Sequence, residues 1–259
     1  RQLKEVPLPP CMFPYIAIGD VDGDGIPEIG VGGDVVFGPP YAAVLDANGD
    51  EIWRKTLMRD GIISARFVDG DLVIAGSVVL DGYVERLAGT DGELQWQYRA
   101  ERIQDPYLDP ELEDVPTHLA TGFFWTTFVP GEDGDPTRYL AASSANNAVH
   151  LVDTHTGELV WDTQLELPET REQHRRYAGP IRYVPPTDEA PAWLVTSELS
   201  SLPNTGKTHV LDLDGNLVAS DQKQGEGYSI AVVGLGDGRL GAAVGAGLGV
   251  YLYETTPLD

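Results

Sequence analysis

The chain has 259 residues and 42% hydrophobic residues, enough to bury a sizeable core and too apolar for a disordered polymer. Lys and Arg number 17 against 41 Asp and Glu, a formal net charge of −24. A surface this acidic repels nucleic acid and anionic lipid, both of which are gripped through basic side chains on phosphate, so neither is an expected partner. Cys11 is the only cysteine, which excludes an internal disulfide and a cysteine metal cluster. No apolar run is long enough to insert in a membrane; the best, 240–253, is short and glycine-rich. The chain begins at Arg1 without a methionine, as expected of a processed or excised piece.

Near the start, Asp20-Val21-Asp22-Gly23-Asp24-Gly25-Ile26-Pro27-Glu28 lies between two β-type apolar runs, 15–18 and 29–31. Calcium takes six to eight oxygen ligands, and a short loop wraps them around the ion only if it turns sharply midway. Gly25 supplies that turn. Asp20, Asp22, Asp24 and Glu28 offer side-chain oxygens, and the Ile26 carbonyl fills the remaining slot. Position 12 of an EF-hand would be glutamate, whereas Val31 stands there, so a strand–calcium loop–strand unit is expected instead of a helix–loop–helix. The competing reading is a solvated acidic turn.

Four segments then repeat one pattern: an apolar strand, an acidic turn with glycine, and a bulky residue four positions on. The turn glycines are Gly49, Gly92, Gly157 and Gly215; the residues that follow are Trp53, Trp96, Trp161 and Ala219. Asn-Gly or Asp-Gly between apolar runs marks a β-hairpin, and tryptophan at a fixed offset predicts one packing layer in each unit. Ahead of each hairpin lies another strand pair, and a fifth pair occupies 229–233 and 240–244. The last unit has a third strand at 249–253 but no fourth, while the orphan segment 2–6 precedes the first unit.

An all-β fold follows: a single β-propeller of five four-stranded blades, the last closed by the N-terminal strand, which removes an exposed sheet edge. The blades are expected at approximately 12–58, 61–100, 119–166, 179–223 and 227–254 with 2–7. Insertions at about 101–119 and 166–178 lengthen the third and fourth units, and the first of these could hold one helical turn.

The loop 20–28 followed by Ile29-Gly30-Val31-Gly32-Gly33 resembles the FG-GAP/VCBS calcium-loop blade of surface propellers, and the Trp hairpins resemble PQQ-like propeller repeats. The resemblance implies the fold and a Ca2+ ion on the loop residues; it carries over no quinone site.

Other candidates are weaker. Glu132, Asp133 and Asp135 occupy an equivalent turn in the third unit, and Asp69, Asp71 and Asp237 look like decayed copies of the loop. His150 and His209 hold the same place in their repeats, which suggests a structural role. Of Phe123, Phe124, Trp125, Tyr107, Tyr177 and Trp193, which lie outside the repeat pattern, several are near the insertions and suggest an aromatic rim over one face. The expected function is a calcium-stabilised, non-catalytic recognition or scaffold domain, secreted or on the cell surface, monomeric when isolated, that binds a protein or glycan. The alternative is a carbohydrate-active enzyme, a glycoside hydrolase or polysaccharide lyase, with two carboxylates converging in the channel.

Overall fold

The computed structural model describes residues 5–9, 13–34, 40–57, 61–78, 81–101, 103–104, 118–119, 122–165, 176–200, 206–222, 227–247 and 249–254. They divide into two compact units, Arg1–Ala100 with Thr154–Glu158, and Glu101–Asp153 with Leu159–Asp259. Every regular element among the described residues is a strand.

The first unit holds two antiparallel sheets. Strands β1 (Phe13–Gly19), β2 (Glu28–Asp34), β3 (Tyr41–Leu45) and β4 (Glu51–Thr56) pair in chain order, as do β5 (Gly61–Val68), β6 (Asp71–Val78), β7 (Asp81–Leu87) and β8 (Leu94–Arg99). The two sheets pack face to face with β1 beside β5. Ala17, Val44, Trp53, Ile62, Phe67, Leu72 and Tyr83 share the core between them. Glycines on β2 permit this approach: a Cβ on Gly30 would stand 2.8 Å from Leu72 Cδ1, and one on Gly32 2.9 Å from Ile62 Cδ1. The run Ile29-Gly30-Val31-Gly32-Gly33 thus gives its neighbour room to pack.

The second unit contains a ribbon of β9 (Ile103–Gln104) and β10 (His118–Leu119), then three larger sheets. Strands β11 (Phe123–Val129), β12 (Tyr139–Ser144), β13 (Ala148–Asp153) and β14 (Leu159–Gln164) form the first. Strands β15 (Arg176–Val184), β16 (Trp193–Ser200), β17 (Lys207–Leu211) and β18 (Leu217–Gln222) form the second. The last sheet has three strands, β19 (Gly227–Gly236), β20 (Arg239–Ala246) and β21 (Gly249–Glu254). First strands are neighbours again, β11 with β15 and β15 with β19. Val129, Leu151, Ile181 and Leu194 fill one inter-sheet layer; Val184, Trp193, Ile230 and Val244 fill the other.

The tryptophan offset has a direct meaning here. The Trp53 indole lies on Gly92, Trp96 on Gly157 and Trp161 on Gly215, where an added Cβ would come within 2.6–2.8 Å of the ring. Each of these glycines also has positive φ, 74 to 85°, so turn and docking surface need the same residue. Trp53 Nε1 donates to Gly89 O at 2.6 Å and Trp161 Nε1 to Leu213 O at 2.8 Å. Ala219 stands where, among the described residues, the next sheet has β21 as its last strand and offers no such hairpin.

One expectation changes, and two others fall wholly or partly outside the described residues. The insertion 101–119 begins and ends as the β9–β10 ribbon; the helical turn would fall on 105–117, outside the described residues. The aromatic rim is not seen where it can be judged: Phe123 and Trp193 are buried, and Trp125 packs against the core, because burying an aromatic ring outweighs displaying it. Tyr107 and the side chains of Phe124 and Tyr177 lie outside the described residues. The proposed closing segment 2–7 lies partly outside them, and its described residues, Glu5, Val6 and Pro7, are not in a strand.

Candidate functional site

The loop between β1 and β2 folds on its own carboxylates. Asp20 Oδ1 accepts from Gly23 N at 2.7 Å and its Oδ2 from Gly25 N at 2.9 Å. Asp22 Oδ1 accepts from Asp24 N at 3.1 Å, and Asp24 Oδ1 from Ile26 N at 2.7 Å. Glu28 Oε2 accepts from Val21 N at 2.8 Å. Gly23 and Gly25 both take positive φ, 81 and 82°, so the turn has two left-handed glycines where sequence reading assigned one.

These bonds bring Asp20, Asp22 and Glu28 together, with one oxygen from each inside 4.8 Å of the others. Oxygens at about 2.3–2.6 Å from calcium can stand up to about 4.6–5.2 Å apart across the ion, so the observed spread fits. The donor set is hard oxygen throughout, as calcium prefers. Glu28 is buried while Asp20 and Asp22 are exposed, which leaves the group open on one side. The Asp24 carboxylate is not one of this group of three. It is the one such cluster among the described residues; Glu132, Asp133 and Asp135 do not join into another. Asp135 Oδ1 is held by Thr137 N and Oγ1, both at 2.8 Å.

Asp71 serves packing, whereas Asp69 is exposed and stands 3.8 Å from Arg86 Nη2. Asp71 Oδ2 accepts from Arg86 Nε at 2.8 Å and its Oδ1 from Gly89 N at 3.1 Å. Arg86 is buried and also donates to the Val68 and Thr154 carbonyls, so each of its three nitrogens has an acceptor.

In the second unit a buried polar network gathers on Glu198, and sequence reading missed it. Glu198 Oε1 lies 3.1 Å from His209 Nε2 and accepts from Asn147 Nδ2 at 2.8 Å, while Oε2 accepts from Lys207 N at 3.0 Å. His209 Nδ1 contacts Ser220 Oγ at 2.8 Å. Burial would raise the Glu198 carboxyl, but His209, the Asn147 amide and the Lys207 amide together hold it below the ordinary range. Strand alternation puts Thr196 and Glu198 on one face; only cross-strand register reveals that His209 and Ser220 join them. His150 is buried against Phe123, ring centroids 5.2 Å apart, and burial pushes its pKa down to about 4 despite Asp162. Both histidines are buried, at equivalent positions of their sheets opposite Ala142 and Thr196.

A cavity of about 460 Å³ lies where the β11–β12 turn meets the β17–β18 turn. Its floor is apolar (Val129, Tyr139, Leu151, Val160, Leu213) and its rim carries Glu132, Asp133, Arg138 and Asp214.

Four-stranded antiparallel sheets stacked through their first strands, with tryptophans docked on neighbouring hairpin glycines, define a PQQ-like β-propeller. The family model described as outer membrane protein assembly factor BamB matches residues 20–172, more than half of the chain, and the chain belongs to that family. Among solved structures, the Dos1 propeller is similar with a TM-score of 0.56 at 13% identity, over 92% of this chain and 53% of that one. The chain thus spans about half of that propeller, and at this identity the likeness speaks for fold alone. BamB from Moraxella catarrhalis aligns with a TM-score of 0.44 at 13% identity, over 93% of this chain and 84% of that one. No curated protein matches the sequence.

Proposed function

We propose that the chain is a non-catalytic, extracytoplasmic scaffold that binds a protein partner. The observation that carries this reading is membership of a family described as an assembly factor of the outer membrane. The chemistry of one buried acid, Glu198, is in keeping with it. A glycosidase needs one carboxyl with a raised pKa beside a second, ionised one. Glu198, fully buried, is instead held below the ordinary range by three donors, the reverse of a general acid.

The reading includes a Ca2+ ion on the loop 20–28. Asp20, Asp22 and Glu28 supply its first oxygens, and the Asp24 carboxylate and Ile26 carbonyl are the further protein ligands. The bound ion would offset two of the negative charges crowded at the loop and add its binding energy to folding. The loop and the glycine-rich β2 are the FG-GAP/VCBS-like part of the chain. The reading also includes a five-bladed ring in which 2–7 pairs with β21. On that reading, removing 1–7 lowers the melting temperature by several degrees and speeds hydrogen exchange at β21 amides; unchanged exchange sinks the closure.

Photo-crosslinking in the native host tests the scaffold. A photoreactive residue placed in turn at exposed positions of each sheet end should give discrete adducts with an envelope protein, reproduced with the purified partner. No adduct at any position, together with polysaccharide cleavage by the purified chain, overturns the scaffold in favour of the carbohydrate-active enzyme. Adducts with glycan alone also overturn it.

A further inference from the structure

We propose that the cavity between the β11–β12 and β17–β18 turns receives a basic side chain, arginine or lysine, carried on an extended segment of a protein partner. The inference rests on the scaffold reading and names where and how such a partner is held.

The cavity lies within the ~300–1,000 Å³ range of ligand sites, at about 460 Å³. Its apolar floor is made by Val129, Tyr139, Leu151, Val160 and Leu213. Val160 is 49% exposed although it stands on a strand, so the apolar surface reaches the opening. Glu132, Asp133 and Asp214 stand exposed on the rim, and none of them enters an ion pair among the described residues. The rim cation, Arg138, is already engaged: its Nη2 donates to Asp153 Oδ2 at 2.6 Å, and its guanidinium lies 5.7 Å from the Tyr139 ring centroid. Three carboxylates therefore face an incoming group with no free cation of the site to offset them.

That combination selects its occupant. An anion meets repulsion at the rim. A neutral apolar group would desolvate the acids without compensating them. Lysine and arginine fit both parts, since a methylene stem lies along the apolar floor while the cationic head stays at the wet, acidic rim. The chain's net charge of −24 draws basic segments from a distance. Asp135 pins the turn through Thr137, and Asp212 pins the other by accepting from Asp214 N at 3.0 Å, so both walls are formed before a ligand arrives.

The test is fluorescence anisotropy with a short labelled peptide alternating leucine and arginine, a lysine version, and one with citrulline, the neutral isostere of arginine. The proteins are wild type and Asp133→Asn/Asp214→Asn, whose exposed substitutions leave the fold intact, as a matching melting temperature verifies. Arginine and lysine peptides should bind and weaken as salt rises; citrulline, or the double variant, should lose about tenfold or more. Equal affinity for citrulline, equal affinity in the double variant, or no binding of either basic peptide overturns the proposal. A crosslinked partner found elsewhere with no basic-peptide binding sinks this proposal alone. Basic-peptide binding with no crosslinked protein sinks the scaffold reading and leaves a cation pocket.

Discussion

Glu198 and the acids of the loop 20–28 carry the same charge into opposite surroundings. Glu198 is fully buried and is met by His209, Asn147 and the Lys207 amide, all supplied by the fold. Asp20, Asp22 and Asp24 are exposed and are met within the loop by its own backbone amides, which still leaves three carboxylates crowded at Asp20, Asp22 and Glu28. A buried acid must have its compensation built in, since an unpaired charge in the interior is costly. An acidic loop at the surface can leave that compensation to solvent, or to an ion. One site therefore responds to mutation inside the protein, and the other responds to what is dissolved outside it.

The sharpest way to break the comparison is Glu198→Ala. It strands His209 and the Asn147 amide, and leaving buried polar groups without a partner costs about 1–3 kcal/mol each, read as a shift of the urea unfolding midpoint. Glu198→Gln should recover part of the loss because it keeps an acceptor for Asn147. A cost under about 1 kcal/mol for the alanine variant would show that water already reaches the network.

Acid comes next. His150 titrates near 4 in the folded chain against 6.5 ordinarily. Between those values the unfolded chain binds a proton that the folded chain refuses, so stability falls as pH drops from 6.5 toward 4, by on the order of 3 kcal/mol. Glu198, depressed in the folded state, acts in the same direction lower down: its contribution is present above the ordinary carboxylate range and lost as pH falls through its folded value. Unfolding of wild type and His150→Gln at pH 7 and pH 4.5 isolates the His150 part, since over this range the Glu198 contribution is largely retained and the variant should lose little.

The loop should behave in the contrary way. In calcium at about a hundred times its dissociation constant, wild type gains about 2.7 kcal/mol that Asp22→Ala lacks, while in excess chelator the two unfold together. A wild type that melts at one temperature in calcium and in chelator would make the loop a solvated turn. Smallest of all, Asp214→Asn at the cavity rim should shift stability by no more than about 0.5 kcal/mol, as expected of an exposed charge with no ion pair. A larger loss would mean that the rim carboxylates hold the turn together, and would argue against their being free for a ligand.

Much of the fold was legible because its period was written in residues with narrow roles. Gly49, Gly92, Gly157 and Gly215 take positive φ where the turn signals stand, and the tryptophans four positions later lie in one kind of packing layer. The exception was visible but its reason was not: only the sheet order shows that Ala219 replaces tryptophan where the following sheet has, among the described residues, no receiving hairpin. The loop 20–28 was equally local, because every bond that shapes it spans at most seven residues. Within it, sequence alone named the acids and the turn, but only folding separated Asp20, Asp22 and Glu28 from Asp24.

The rest depended on contacts between distant positions. Asn147 and Glu198 are 51 residues apart, and Arg86 reaches the Thr154 carbonyl across 68. No local pattern distinguishes a buried Glu198 from the other acids of the chain; neighbouring sheets decide it by removing water. The aromatic residues Phe123 and Trp193 failed as a rim for the same reason, since their sequence does not say which side of a sheet meets another sheet. Periodicity, turn chemistry and charge are properties of a segment, and the sequence alone determined the all-β repeat and the acidic loop. Burial, pairing of charges and the cavity arise where separate segments meet, and only the tertiary structure decided them.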